Sequence, residues 1–112
     1  MQYRSLKGHQ ISEVGLGTWQ LGSADWGVVN EEEAFSILQE FVNDGGNFID
    51  TADVYGMGIS ESVIGRFLKT VSKEIFVATK LYLRWHAQTC GRLINTPATT
   101  TIVFRTIALY SY

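Results

Sequence analysis

Cysteine and proline each occur once in the 112 residues, at Cys90 and Pro97. A single cysteine closes no internal disulfide, so this is not a disulfide scaffold, and a reducing compartment is its simplest setting. No apolar run approaches the roughly 20 residues of a membrane-spanning helix. The opening MQYRSLKGHQ also lacks the apolar core of a signal peptide, and together these absences read as a cytoplasmic protein. Basic clusters are missing too, and the formal charge is −2, so neither nucleic acid nor an anionic membrane is an expected partner. His86 and Cys90 stand four apart, as two ligands on one helix would, but no second pair joins them and no metal site is expected.

The most local absence is of acid. All 11 acidic residues lie in positions 1–80, and the 32 positions after Lys80 carry only Arg84, Arg92 and Arg105 as charges, apart from His86. This composition boundary divides the chain into a segment 1–80 and a divergent tail 81–112. The tail holds a Thr-rich patch, TPATTT, and a strand-like run, TIVFRTIALYSY, with no clear amphipathic helix before it.

Positions 1–80 alternate between apolar runs and helical periodicity. Tyr3–Leu6 and Ile11–Val14 flank KGHQ and predict a small hairpin. Asn30 caps a helix whose first turn, Glu31 to Glu33, suits the positive end of the dipole, with Glu33 at the capping-box position. Ala34, Ile37, Leu38 and Phe41 form its apolar stripe, widened by Phe35 and Val42, and Gly45 with Gly46 stops it. A strand, NFIDTA, follows. A second helix is expected from Ser60, with Ile59 and Ile64 as a hydrophobic staple, and then a strand EIFVATK. Continuous apolar strands joined by helix-length connections predict an α/β fold with a parallel sheet.

Both strands end in charge. Side chains alternate along a strand, so Phe48 and Asp50 share one face, as do Phe76, Ala78 and Lys80. An inward face brings Asp50 and Lys80 together at the carboxyl ends of adjacent strands with Tyr55 over them, the edge at which barrel enzymes place their chemistry. A lysine cation beside a phenol favours the phenolate and makes the phenol a better proton donor, and Asp50 would hold that lysine charged and oriented. The competing reading is a structural ion pair beside a half-buried loop aromatic.

YRSL, VGLGTWQLG, FIDTADVYGMGISESVIGRFL and IFVATK, in this order over positions 3–80, resemble the N-terminal portion of bacterial aldo/keto reductases. That family folds as a (β/α)8 barrel and reduces carbonyls with NADPH. The resemblance implies a partial TIM-barrel-like fold, with an N-terminal hairpin, about three parallel strands and two helices. It implies Tyr55 as proton donor supported by Asp50 and Lys80. It places Gly17, Thr18 and Trp19 at the nicotinamide end of the pocket, with Asp50 near the ribose, and a small carbonyl compound as substrate.

Two departures qualify it. The family's catalytic histidine, at the end of the next strand, has no counterpart, since His86 follows Lys80 too soon. The second half of the barrel, which holds most of the cofactor, has none either. A barrel takes about 250 residues, so the chain reads as a truncated, inactive segment whose tail fits an altered reading frame.

Other readings stay open. Open sheet edges and an apolar inner face suit a non-catalytic interaction module or self-association. A small nucleotide-binding α/β domain is the third. Gly56-Met57-Gly58-Ile59-Ser60-Glu61 opens like a dinucleotide fingerprint, but a carboxylate at its sixth position would repel a pyrophosphate. Trp19, Trp26 and Trp85 suit stacking on a ring or, by default, packing.

Overall fold

The computed structural model describes residues 1–21 and 30–80, and the backbone of 99–104. His86, Cys90, Trp26, Trp85 and all of the tail except that strand lie outside the described residues.

The hairpin pairs β1 (Tyr3–Leu6) with β2 (His9–Ser12) in antiparallel register, Leu6 opposite His9. Its turn is therefore Lys7-Gly8 rather than the four residues KGHQ, and β2 starts two residues earlier than the sequence suggests. Both turn residues have positive φ, 50° and 90°. Two-residue hairpin turns favour this because it matches the twist of the strands, and Gly8 adopts it without steric cost.

A four-stranded parallel sheet follows in the order β3 (Leu16–Gly17), β4 (Phe48–Asp50), β5 (Ile75–Lys80), β6 (Thr99–Phe104). Strand β6 comes from the tail and pairs with β5 along its whole length, from Ile75–Thr99 to Lys80–Phe104. The strand-like character of the tail is thus realised beside the third expected strand, beginning in its Thr-rich patch.

Helix α1 (Glu31–Asn43) begins as its sequence dictates, with Asn30 Oδ1 accepting from the Glu33 amide at 2.7 Å. It ends at Asp44 in a Schellman motif. The Gly46 amide donates to Phe41 O at 2.9 Å and that of Gly45, at φ +94°, to Val42 O at 3.1 Å, a geometry that a residue without a Cβ adopts at no steric cost. The buried stripe is Ala34, Leu38 and Val42 flanked by Phe35 and Phe41, while Ile37 is 40% exposed. At about 100° per residue the stripe centres near Leu38, which leaves Ile37 roughly 100° off, on the rim.

Helix α2 (Ile59–Leu68) starts one residue before Ser60, with left-handed Gly58 at its N-cap. A 3-10 turn over Tyr55–Gly58 runs straight into it. Ile59 is therefore 56% exposed while Ile64 is fully buried, and the expected staple does not form.

The core lies between sheet and helices. Ile49, Ile75 and Val77 meet Ala34, Leu38, Val42, Val63, Ile64, Phe67 and Leu68. Arg66 joins the helices outside it through a two-pronged contact with Glu31, at 2.7 and 3.1 Å. Because side chains alternate, Phe48, Asp50, Phe76, Ala78 and Lys80 occupy the sheet face turned away from the helices. The hairpin closes the amino-terminal end of the strands. Asn47 accepts from the Ser12 amide (2.8 Å), donates to Gln10 O (2.8 Å) and offers its own backbone groups to Ser12 Oγ and the Phe76 amide.

Candidate active site

The parallel register sets Asp50 opposite Ala78 and Gly17 opposite Asp50. Lys80, two residues beyond Ala78, overhangs Asp50 on the same face. Its ammonium donates to both carboxylate oxygens, at 2.8 and 2.7 Å, and to Thr51 O at 3.1 Å. The pair is semi-exposed, with side-chain exposures of 30% for Lys80 and 41% for Asp50. Burial alone would lower the lysine pKa. The hydrogen bonds and charge of Asp50, with smaller contributions from Tyr55, outweigh it and hold Lys80 above its ordinary 10.5. Lys80 is therefore a cation throughout the physiological range.

Tyr55 begins the turn that leads into α2. The Lys80 nitrogen lies 5.4 Å from its ring centroid, and the ring stacks on Trp19, centroids 6.1 Å apart and planes 11° from parallel. Tyr55, Asp50 and Lys80 thus converge at the carboxyl edge of the sheet. Trp19, 59% exposed, stands beside them, and a Cβ built on Gly17 meets nothing within 4 Å.

Thr18 is placed differently from its neighbours. Its side chain is fully buried, with Oγ1 donating to Asp50 O at 2.9 Å and accepting from Ser60 Oγ at 3.0 Å. Ser60 also lies 3.0 Å from Thr18 O and 3.1 Å from Thr51 Oγ1. Three buried hydroxyls thus knot the start of α2 to the ends of β3 and β4, on either side of Asp50. Sequence reasoning missed this knot, and no local pattern marks it, because its members come from three elements. It also missed Glu61, which is 2% exposed and accepts from Thr79 Oγ1 at 2.7 Å. Burial raises the Glu61 pKa above its ordinary 4.5, the Thr79 hydrogen bond opposes that rise, and the charge of Asp53 adds to it. The alternation of β5 already put Thr79 on the face opposite Lys80, which was the one available clue.

Among the described residues, no group of three or more His, Cys, Asp or Glu side chains could hold a metal ion, and no helix is long and apolar enough to cross a membrane.

A parallel sheet with two helices on one face and a lysine–carboxylate–phenol set at its carboxyl edge is a portion of a (β/α)8 barrel fold, without a closed barrel. The sequence pattern of the Aldo/keto reductase family matches residues 13–97, and the chain belongs to that family. An aldo-keto reductase of Bacillus subtilis (strain 168), YhdN, is 36% identical over 89 residues, covering 76% of this chain and 27% of the relative. An aryl-alcohol dehydrogenase (NADP+) of Phanerodontia chrysosporium is 37% identical over 83 residues, covering 68% of this chain and 21% of the relative. Among solved structures, aldo-keto reductase AKR11C1 from Bacillus halodurans in its holo form superposes with a TM-score of 0.63 at 34% identity, covering 77% of this chain and 28% of that one. The chain therefore spans about a quarter of the length of the relatives it matches. The family match also runs past Lys80, the composition boundary.

Proposed function

We propose that these residues form the proton-transfer part of an NADPH-dependent carbonyl-reducing site. The observation that carries the reading is the Lys80 ammonium held between Asp50 and Tyr55 at the carboxyl edge of the sheet. Tyr55 gives its proton to the oxygen of an aldehyde or ketone as the carbonyl carbon is reduced. Lys80, kept cationic by Asp50, stabilises the phenolate left behind, and the phenolate regains a proton from solvent. The nicotinamide, when bound, supplies the hydride. The open space at Gly17 and the exposed Trp19 fit its ring end, and the family resemblance assigns Asp50 to the ribose. Thr18 serves from behind, by fixing the Asp50 carbonyl.

By itself the 112-residue polypeptide does not turn over. Its open sheet leaves the Lys80–Asp50 pair semi-exposed, so water screens the electrostatics on which proton donation depends. In the register beside Lys80, where the family resemblance calls for histidine at the strand end, β6 offers Phe104. A fixed cofactor and an oriented carbonyl are needed together for the proximity advantage, and four strands provide few contacts to offset the entropy of fixing either. We take the compartment to be the cytoplasm and the partner to be a small carbonyl compound, with self-association through the sheet edges as the alternative use of the same scaffold.

NADPH oxidation with several aldehydes and ketones, in wild type and Tyr55→Phe, tests this. We expect no turnover in either protein. Turnover abolished by Tyr55→Phe would keep the site and overturn the inactivity. Turnover that survives Tyr55→Phe would overturn the assignment of the proton donor.

A further inference from the structure

Ser60 is a fully buried hydroxyl in the first turn of α2, a helix whose N-cap, Gly58, makes no side-chain cap bond. The Ser60 hydroxyl bonds instead to β3 and to the end of β4, and the count of hydroxyl hydrogens fixes the direction of those bonds. Thr18 Oγ1 spends its one hydrogen on Asp50 O at 2.9 Å. Ser60 Oγ lies 3.0 Å from both Thr18 O and Thr18 Oγ1. Neither has a hydrogen left to give, so the Ser60 hydrogen goes to Thr18. The remaining contact, 3.1 Å between Ser60 Oγ and Thr51 Oγ1, is then donated by Thr51. The chain runs one way, from Thr51 through Ser60 and Thr18 to the Asp50 carbonyl.

Thr51 is also where Lys80 reaches the backbone. It stands just past the end of β4, with its amide donating to Ala78 O at 2.8 Å. An ammonium has three hydrogens, and those of Lys80 have three acceptors in Asp50 Oδ1, Asp50 Oδ2 and Thr51 O. The two on the carboxylate are held by charge as well as by hydrogen bonding. The third, on a neutral carbonyl at 3.1 Å, is the one able to turn toward a Tyr55 phenolate. We propose that Ser60 is a positioning residue for the Lys80 ammonium. By holding the Thr51 side chain it fixes the carbonyl that takes the third hydrogen, and with it the place of the cation beside Tyr55. Through Thr18 the same hydroxyl braces the Asp50 carbonyl, so both members of the ion pair are held from α2.

The inference rests on the reading of Lys80 as the cation beside Tyr55, but its readouts are ammonium and hydroxyl signals rather than turnover, so either can fail alone. In the 112-residue protein at mildly acidic pH, NMR follows exchange of the Lys80 ammonium hydrogens with water. We expect Ser60→Ala to speed that exchange about fivefold, the factor that the net worth of one hydrogen bond implies. Thr51→Val removes the hydroxyl and keeps the side-chain shape, and it should do the same. The double variant should go no further than the larger single one, because both act through one bond. Val42→Ala truncates a core residue at the end of α1 and should leave the exchange unchanged, since no bond of the chain involves α1. Exchange unaltered by Ser60→Ala, additive in the double variant, or speeded as much by Val42→Ala overturns the positioning role. Where a variant fails to fold, wild type decides, because the Thr51 and Ser60 hydroxyls and the Lys80 ammonium should all exchange slowly. Hydroxyls that exchange as fast as exposed ones overturn the chain on which the role depends.

Discussion

The two ends of the parallel sheet are built differently. At the amino-terminal end Asn47 uses its side-chain carbonyl, its side-chain amide and both backbone groups in hydrogen bonds to the hairpin and to β5. At the carboxyl-terminal end stand a semi-exposed ion pair, the exposed Trp19 and an acid with one oxygen that has no hydrogen-bond partner among the described residues. One end is satisfied, and the other holds groups that fold at a cost. Barrel enzymes divide stability and chemistry between their two faces in this way, and strained or poorly partnered groups collect where function uses them.

That contrast can be broken by mutation. Asn47→Ala should have the largest effect on stability, because it strands the buried Ser12 amide and removes the bond to Gln10 O. We expect a loss of about 2–4 kcal/mol in urea melts. A loss below about 1 kcal/mol would mean the hairpin does not anchor the sheet. Ser60→Ala, which opens the hydroxyl knot behind the site, should cost about 1–2 kcal/mol and shift the amide signals of Trp19 and Asp50, while those of Ser12 and Asn47 stay in place. If the hairpin amides move as far as those of the site, the two ends are not independent.

Lys80→Met should matter least to stability. A semi-exposed pair is screened by solvent and is worth about 1 kcal/mol or less. Its pH dependence has a definite sign. The folded pKa of Lys80 is raised, so the pair's contribution is complete below 10.5 and is lost as pH climbs through the folded value. On the alkaline side, wild type and Lys80→Met should therefore converge in stability only above 10.5, and convergence at neutral pH would show that the pair adds nothing to stability.

What the sequence disclosed follows the range of the interactions. The cap at Asn30 and the stop at Gly45 are local, and both are where the residues place them. Strand parity alone put Asp50 and Lys80 on one face at adjacent strand ends. Errors arose where a local pattern competed with tertiary geometry. Ile37 matched the helical stripe but fell on its rim, and Ile59 matched a staple but was displaced by the 3-10 turn before α2. KGHQ concealed a two-residue turn that only the strand register reveals. The hydroxyl knot of Thr18, Thr51 and Ser60, and the Glu61–Thr79 bond, join residues from different elements, so they become visible only once the register is known.

The central claim is that the carboxyl edge, and not the hairpin edge, is built to take a nicotinamide beside Tyr55 and Lys80. The most direct test is an NMR titration of the isotope-labelled 112-residue protein with NADPH into the millimolar range, reading every assigned backbone amide and the indole of Trp19. The account predicts weak, saturable shifts at Gly17, Trp19, Asp50, Tyr55 and Lys80, with Ser12 and Asn47 unmoved. Shifts centred on the hairpin end, or none at the carboxyl edge, would contradict it.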